Sequence, residues 1–88
     1  MSFSVSGKTA IVTGSASGIG LAIARHLVDK GANVMFADMD EARLEAEIGE
    51  DARAEGPVRM FAGDLTAKLT IANLLSATVD AFETHAAV

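Results

Sequence analysis

A β-branched, apolar run, Thr9-Ala10-Ile11-Val12, leads straight into Thr13-Gly14-Ser15-Ala16-Ser17-Gly18-Ile19-Gly20, and from Leu21 to Val28 apolar residues return with helical spacing. Three glycines between a strand and a helix permit few folds. Glycine reaches backbone angles closed to other residues, and its missing side chain lets another group come close to the chain. The helix that follows offers unpaired N–H groups and a partial positive charge. Strand, glycine turn and helix N-terminus in that order form the setting in which a dinucleotide pyrophosphate is held. The competing reading is a tight strand-to-helix turn with no ligand.

The glycines are spaced G-x-x-x-G-x-G, not G-x-G-x-x-G. As T-G-S-A-S-G-I-G behind a K-T-A-I-V-T strand close to the N-terminus, the stretch resembles the short-chain dehydrogenase/reductase family. The resemblance runs from about Lys8 to about Phe82. It implies a Rossmann-type α/β fold, NAD as cofactor, and hydride transfer between NAD and a secondary alcohol or ketone. By the same resemblance Gly14, Gly18, Ile19 and Gly20 form the pyrophosphate turn. Ser15 and Ser17 offer hydroxyls or backbone N–H groups beside it, and Thr13 helps to order it.

At 88 residues the chain is one domain at most, and its core is marginal. Half of the residues are apolar and 22% are charged, which is globular rather than disordered. The net charge of −5, with no run of Lys or Arg, speaks against nucleic acid or an anionic membrane surface as partner. There is no cysteine, hence no disulfide framework and no thiolate metal site. Met1 to Ser6 lack a basic stretch followed by a long apolar one, and no window is apolar enough to span a membrane; the expected location is the cytoplasm.

Along the chain, Ser6-Gly7-Lys8 is the turn into a first strand over 8–13. A helix is expected over 18–30, with Ser17 as N-cap and Gly31 just past the end. Ile19, Ile23 and Leu27, with Ala22 beside them, give its apolar stripe, and Ala22 and Ala24 its close approach to the sheet. The bland reading of His26, a solvated helix residue, is preferred to a catalytic one. Asn33 to Ala37 is the second strand and ends in Asp38, which lies 20 residues after Gly18. A dinucleotide fold places an acid there to accept hydrogen bonds from the adenosine ribose hydroxyls. Such a carboxylate repels a 2′-phosphate. NADP-preferring members of the family often carry a basic residue in the glycine turn or at the place of Met39; this chain has none there, so NAD is favoured. The alternative is that Asp38 simply ends a strand or caps a helix.

Asp40 is the cap expected for a second helix over 41–55, with Leu44, Ile48 and Ala52 as its stripe. Glu47 and Asp51 are spaced as a metal pair could be, but a solvated face is the better account. Gly56-Pro57 stops that helix, and Val58 to Ala62 is the third strand. It ends in Gly63-Asp64-Leu65. In the family an acid and an aliphatic residue at this place contact adenine, so the resemblance gives Asp64 and Leu65 that role; Asp64 also reads as a plain turn acid. Thr66 is the expected N-cap of a third helix over 67–85. Ile71, Leu75, Thr78, Val79 and Phe82 make its apolar face, with Leu74 and Ala72 beside it. Met35, Met39 and Met60 are read as core filling.

The expected architecture is one β-α-β-α-β-α half of a doubly wound parallel sheet, strand order 3-2-1, with right-handed crossovers. Residues 1–88 read as a truncated dinucleotide-binding half-domain. The family pattern continues with a fourth strand ending in Asn-Asn-Ala-Gly, a catalytic Ser and a Tyr-x-x-x-Lys pair. The chain has no tyrosine, and Asn33 and Asn73 stand in other contexts. The expectation is that these residues hold the adenosine and pyrophosphate part of NAD and perform no efficient redox chemistry alone. It is also that the first strand keeps an apolar, unpaired edge. Family members are usually dimers or tetramers, which the resemblance implies for a longer enzyme. A non-catalytic nucleotide-binding module stays open as the alternative, as does an inactive fragment.

Overall fold

A computed structural model of the chain describes residues 4–54 and 56–82. Its elements are β1 (Thr9–Thr13), α1 (Gly18–Asp29), β2 (Asn33–Asp38), α2 (Glu41–Arg53), β3 (Val58–Ala62) and α3 (Lys68–Phe82). The strands form one parallel sheet in the order β1-β2-β3, which is 3-2-1 read from the other edge. Thr13 pairs with Ala37 and Asp38 with Ala62, so the carboxyl ends of all three strands lie along one edge. The turns that follow them are therefore neighbours.

β2 is central, and its side chains alternate between two buried faces as the strand period requires. Val34 and Phe36 pack with Ala24 of α1, Leu44 and Ile48 of α2 and Val58 of β3. Met35 and Ala37 pack on the opposite face with Ile11 and with Leu74 of α3. Helices α1 and α2 thus cover one face and α3 the other. A continuous apolar strand such as β2 is explained by this double cover.

α2 follows its sequence pattern. Asp40 accepts a hydrogen bond from the Arg43 N–H at 3.0 Å, and Leu44 and Ile48 are buried. Its expected end at Glu55 lies outside the described residues. The Arg25 guanidinium reaches Glu47 at 3.0 Å and ties α1 to α2, so Glu47 serves an ion pair between helices. Gly31, at φ 93°, ends α1 where expected.

Several expectations about helix faces are corrected. On α1, Ile19 is 79% exposed and Ile23 and Ala22 also face outward, whereas Ala24 is buried against the sheet and Leu27 packs on the core, as expected, together with Leu21 and Val28. The face that meets the sheet is the one that carries Leu21, Ala24, Leu27 and Val28. On α3 the buried residues are Leu74 and Thr78, while Ile71, Leu75 and Val79 are exposed. An apolar stripe wider than one contact face leaves spacing alone unable to choose its buried side. Met39 is exposed too, because the chain has already left the sheet at that point. The α3 residues expected beyond Phe82, His85 among them, lie outside the described residues. Among the described residues β1 pairs only with β2.

Candidate functional site at the carboxyl edge of the sheet

The glycine turn leaves β1 through Gly14 at φ 64° and enters α1 through Gly18 at φ 59°, both in the left-handed region that favours glycine. A Cβ at either would meet nothing within 4 Å, so both glycines face open space. Gly20 answers a different need. A Cβ there would land on the Gly14 carbonyl oxygen and lie 2.8 Å from its carbon. Two glycines give the turn its path, and the third lets the helix fold back against it.

Between them the chain is anchored inward. Ser15 is fully buried, and both its N–H and its hydroxyl donate to the Ala37 carbonyl oxygen, at 3.2 and 3.3 Å. Its hydroxyl therefore holds the turn to β2. Ala16 is also buried, and its N–H donates to Asp38 Oδ2 at 3.1 Å. Ser17 is exposed with extended backbone at the cap position, but its side chain makes no capping bond. Ser17 thus stands at the expected N-cap, without the side-chain bond that such a residue can make there. The first turn of α1 also contains no acid, whereas α2 has Asp40 as cap and Glu41 behind it. No acid of α1 itself neutralises its positive end, and the Asp38 carboxylate beside it is engaged by the Ala16 N–H before the cap; that of α2 is satisfied by its own cap and first turn.

Asp38 ends β2 beside the turn. Its second carboxylate oxygen accepts from the Asp40 N–H at 2.9 Å, and its carbonyl accepts from the Gly63 N–H at 3.1 Å. Each carboxylate oxygen keeps lone-pair capacity for a further donor. Met39 follows with its side chain 73% exposed and brings no positive charge to the site.

The third turn is held locally. Thr66 donates to Asp64 Oδ1 from its N–H at 3.0 Å and from its hydroxyl at 2.6 Å. These bonds favour the charged form and hold the Asp64 carboxyl below the usual carboxylate range. Thr66 does not cap α3, which begins at Lys68; its hydroxyl is spent on Asp64. Leu65 is half-buried against the α3 side of the core. Thr13 stands exposed at the end of β1.

The structure thus brings Gly14, Ser15, Ser17, Gly18, Ile19, Gly20, Asp38, Met39, Asp64 and Leu65 to one edge of the sheet. Ala16 and Gly63 join them as backbone donors. Sequence reasoning missed both, since an N–H aimed at a neighbouring strand leaves no trace in residue type. A cavity of about 340 Å³ lined by Ser4, Val5, His26, Leu27 and Lys30 lies towards the other end of α1. It gathers none of these groups. The carboxyl edge is an open surface, suited to an extended ligand that crosses several strand ends.

The residues fit a dinucleotide. A cradle that two Cβ atoms would otherwise occupy lies at an uncapped helix N-terminus, which suits a pyrophosphate. An acid stands one strand away, where a sugar with vicinal hydroxyls would lie.

Comparison with known proteins agrees. Residues 8–85 match the short chain dehydrogenase family. An L-fucose dehydrogenase of Mus musculus is 42% identical over 80 residues, covering 88% of this chain and 27% of that protein. The structure superposes with a TM-score of 0.84 on a short chain dehydrogenase/reductase from Burkholderia phymatum in complex with NAD, at 28% identity over 96% of this chain and 30% of that one. It superposes at 0.82 on a 3-ketoacyl-(acyl-carrier-protein) reductase from Brucella melitensis complexed with NADH, at 28% identity over 93% of this chain and 32% of that one. The chain spans less than a third of the length of each of these proteins.

Proposed function

The chain belongs to the short chain dehydrogenase family, and from that premise we propose that it forms the NAD-holding part of an oxidoreductase acting on a secondary alcohol or ketone. The observation that carries this reading is the uncapped, acid-free N-terminus of α1 behind two outward-facing glycines. Backbone N–H groups of Gly18, Ile19 and Gly20 face the pyrophosphate, and the exposed Ser17 adds a hydroxyl. Ser15 keeps the turn closed from within. Asp38 accepts from the adenosine ribose hydroxyls. Asp64 accepts from the adenine amine, and the backbone at Leu65 lies along the ring edge. Bound here, NAD supplies a hydride acceptor; this chain's share is to bind and orient its adenosine half.

NAD is preferred over NADP because Asp38 would face a 2′-phosphate with no cation among Ser15 to Ser17 or at Met39 to offset it. Isothermal titration should show NAD binding more tightly than NADP by at least about tenfold, or 1.4 kcal/mol. Asp38→Ser should weaken NAD and narrow that gap. Equal affinity of the native chain for both cofactors would refute the ribose role.

The alternative is a nucleotide-binding module that holds NAD without turnover. A dehydrogenase assay on the full-length native product, run beside the titration, separates the two: NAD binding without turnover there supports the module.

A further inference from the structure

We propose that Asp38 has a second task besides the ribose: it is the positioning residue that sets the shape of the pyrophosphate turn. This rests on the cofactor reading above and adds to it a coupling between the sugar and phosphate subsites.

Three turns converge on this one residue. Ala16 lies in the middle of the glycine turn, is 2% exposed, and donates its N–H to Asp38 Oδ2 at 3.1 Å. The start of α2 donates to Oδ1 through Asp40 N–H at 2.9 Å. The turn after β3 donates to the Asp38 carbonyl through Gly63 N–H at 3.1 Å. Removing the carboxylate strips a buried amide of its acceptor, which costs more than an ordinary hydrogen bond because the amide has little water to turn to. The turn would then relax about its two left-handed glycines, Gly14 and Gly18, which offer little resistance. The Ser15 anchor to Ala37 would survive on one side of Ala16. The side towards α1, where the phosphate N–H groups lie, would lose its tie.

A ligand without ribose hydroxyls separates the two tasks. 2′,3′-Dideoxy-ADP carries the diphosphate and adenine but gives Asp38 nothing to grip. If Asp38 served the sugar alone, Asp38→Ala would leave the affinity for this ligand unchanged, or raise it by removing a negative charge. The positioning role predicts a loss of about fivefold or more, from one buried hydrogen bond. Asp38→Asn keeps a single acceptor oxygen and should fall between the two.

Amide hydrogen exchange on the unliganded chain supplies a readout independent of binding. Asp38→Ala should speed exchange at Ala16 and Asp40 while Ile48, buried in the middle of α2, stays protected, which also shows that the variant folds. Unchanged exchange at Ala16, or unchanged dideoxy-ADP affinity in a folded variant, overturns the proposal. Failure of the native chain to bind either NAD or dideoxy-ADP would instead overturn the cofactor reading, and the exchange data would still decide whether Asp38 holds the turn.

Discussion

The glycine turn after β1 and the Asp64 turn after β3 end at the same edge of the same sheet, yet they are held in different ways. The first is tied across strands. Ser15 and Ala16 both reach partners 22 residues away on β2. The second has a single tie across strands, from the Gly63 N–H to the Asp38 carbonyl, and otherwise closes on itself through Asp64 and Thr66, two residues apart. A turn anchored to the central strand shares that strand's stability, whereas a turn closed by its own side chains opens when they let go. The turn proposed for the diphosphate is therefore the more firmly anchored, and the one proposed for adenine is the softer. That division suits the ligand: rigid donors serve a fixed anion, and a planar ring tolerates adjustment.

Alanine at the glycine of each turn should break the comparison most sharply. In Gly20→Ala the new Cβ meets backbone, the Gly14 carbonyl, which cannot move without reshaping the turn. We expect a loss of about 1–3 kcal/mol in stability, together with NAD affinity reduced beyond detection in a titration. In Gly63→Ala the new Cβ meets Thr70 Cγ2 at 2.9 Å and a Phe61 ring carbon at 3.3 Å, side-chain atoms that can shift. Its cost should be the smaller of the two, at the low end of the same range, about 1 kcal/mol. Thermal unfolding of both variants decides it. Equal costs would mean that the glycine turn is no more rigid than its neighbour.

A smaller effect sharpens the same contrast. Ser15→Ala removes a buried hydroxyl whose acceptor, the Ala37 carbonyl, keeps the Ser15 N–H. The loss should be about 0.5–1.5 kcal/mol, the net worth of one hydrogen bond. NAD affinity should fall only slightly, since the remaining amide bond holds the path. A collapse of binding in Ser15→Ala would place the hydroxyl at the ligand and not at the sheet.

The same contrast explains what could be read from residue order. Glycines, strand-end acids and the Gly56-Pro57 stop are local signals, and each stands where its chemistry suggests. The parallel sheet and its order followed from the alternation of apolar runs and helical stretches. What failed was the choice of helix face. Of the α1 stripe, Leu27 packs on the core beside Ala24, Leu21 and Val28, whereas Ile19 and Ile23 are exposed; apolar residues line more than one face of this helix, and spacing alone does not choose between them. On α3 the exposed ridge of Ile71, Leu75 and Val79 runs beside buried Leu74 and Thr78. Both ridges are apolar, and spacing does not say which neighbour is present to cover either. The caps divide likewise: Ser17 stands at the N-cap of α1 as expected, though without a capping bond, whereas Thr66 is claimed by Asp64 and does not cap α3. A side chain with two possible partners is settled by geometry that residue type does not encode.

The softer turn should also be the one that answers to acid. Asp64 is held below its unperturbed value of about 3.9 by the Thr66 hydroxyl and N–H. A lowered folded value means that the bond's contribution is present above the unfolded value and is lost as pH falls through the folded one. On acidification from pH 5, Thr66 amide protection should therefore disappear below pH 4, while that of Ser15, bonded to a carbonyl that does not titrate, persists. Because the carboxylate is solvent-exposed, the effect on global unfolding should be small. Thr66→Val removes the stronger of the two donors, so the Asp64 carboxyl resonance in an NMR titration should shift its midpoint upward, towards the ordinary carboxylate value. An unmoved midpoint would show that the hydroxyl does not hold Asp64, and the local closure of this turn would have to be assigned to the backbone alone.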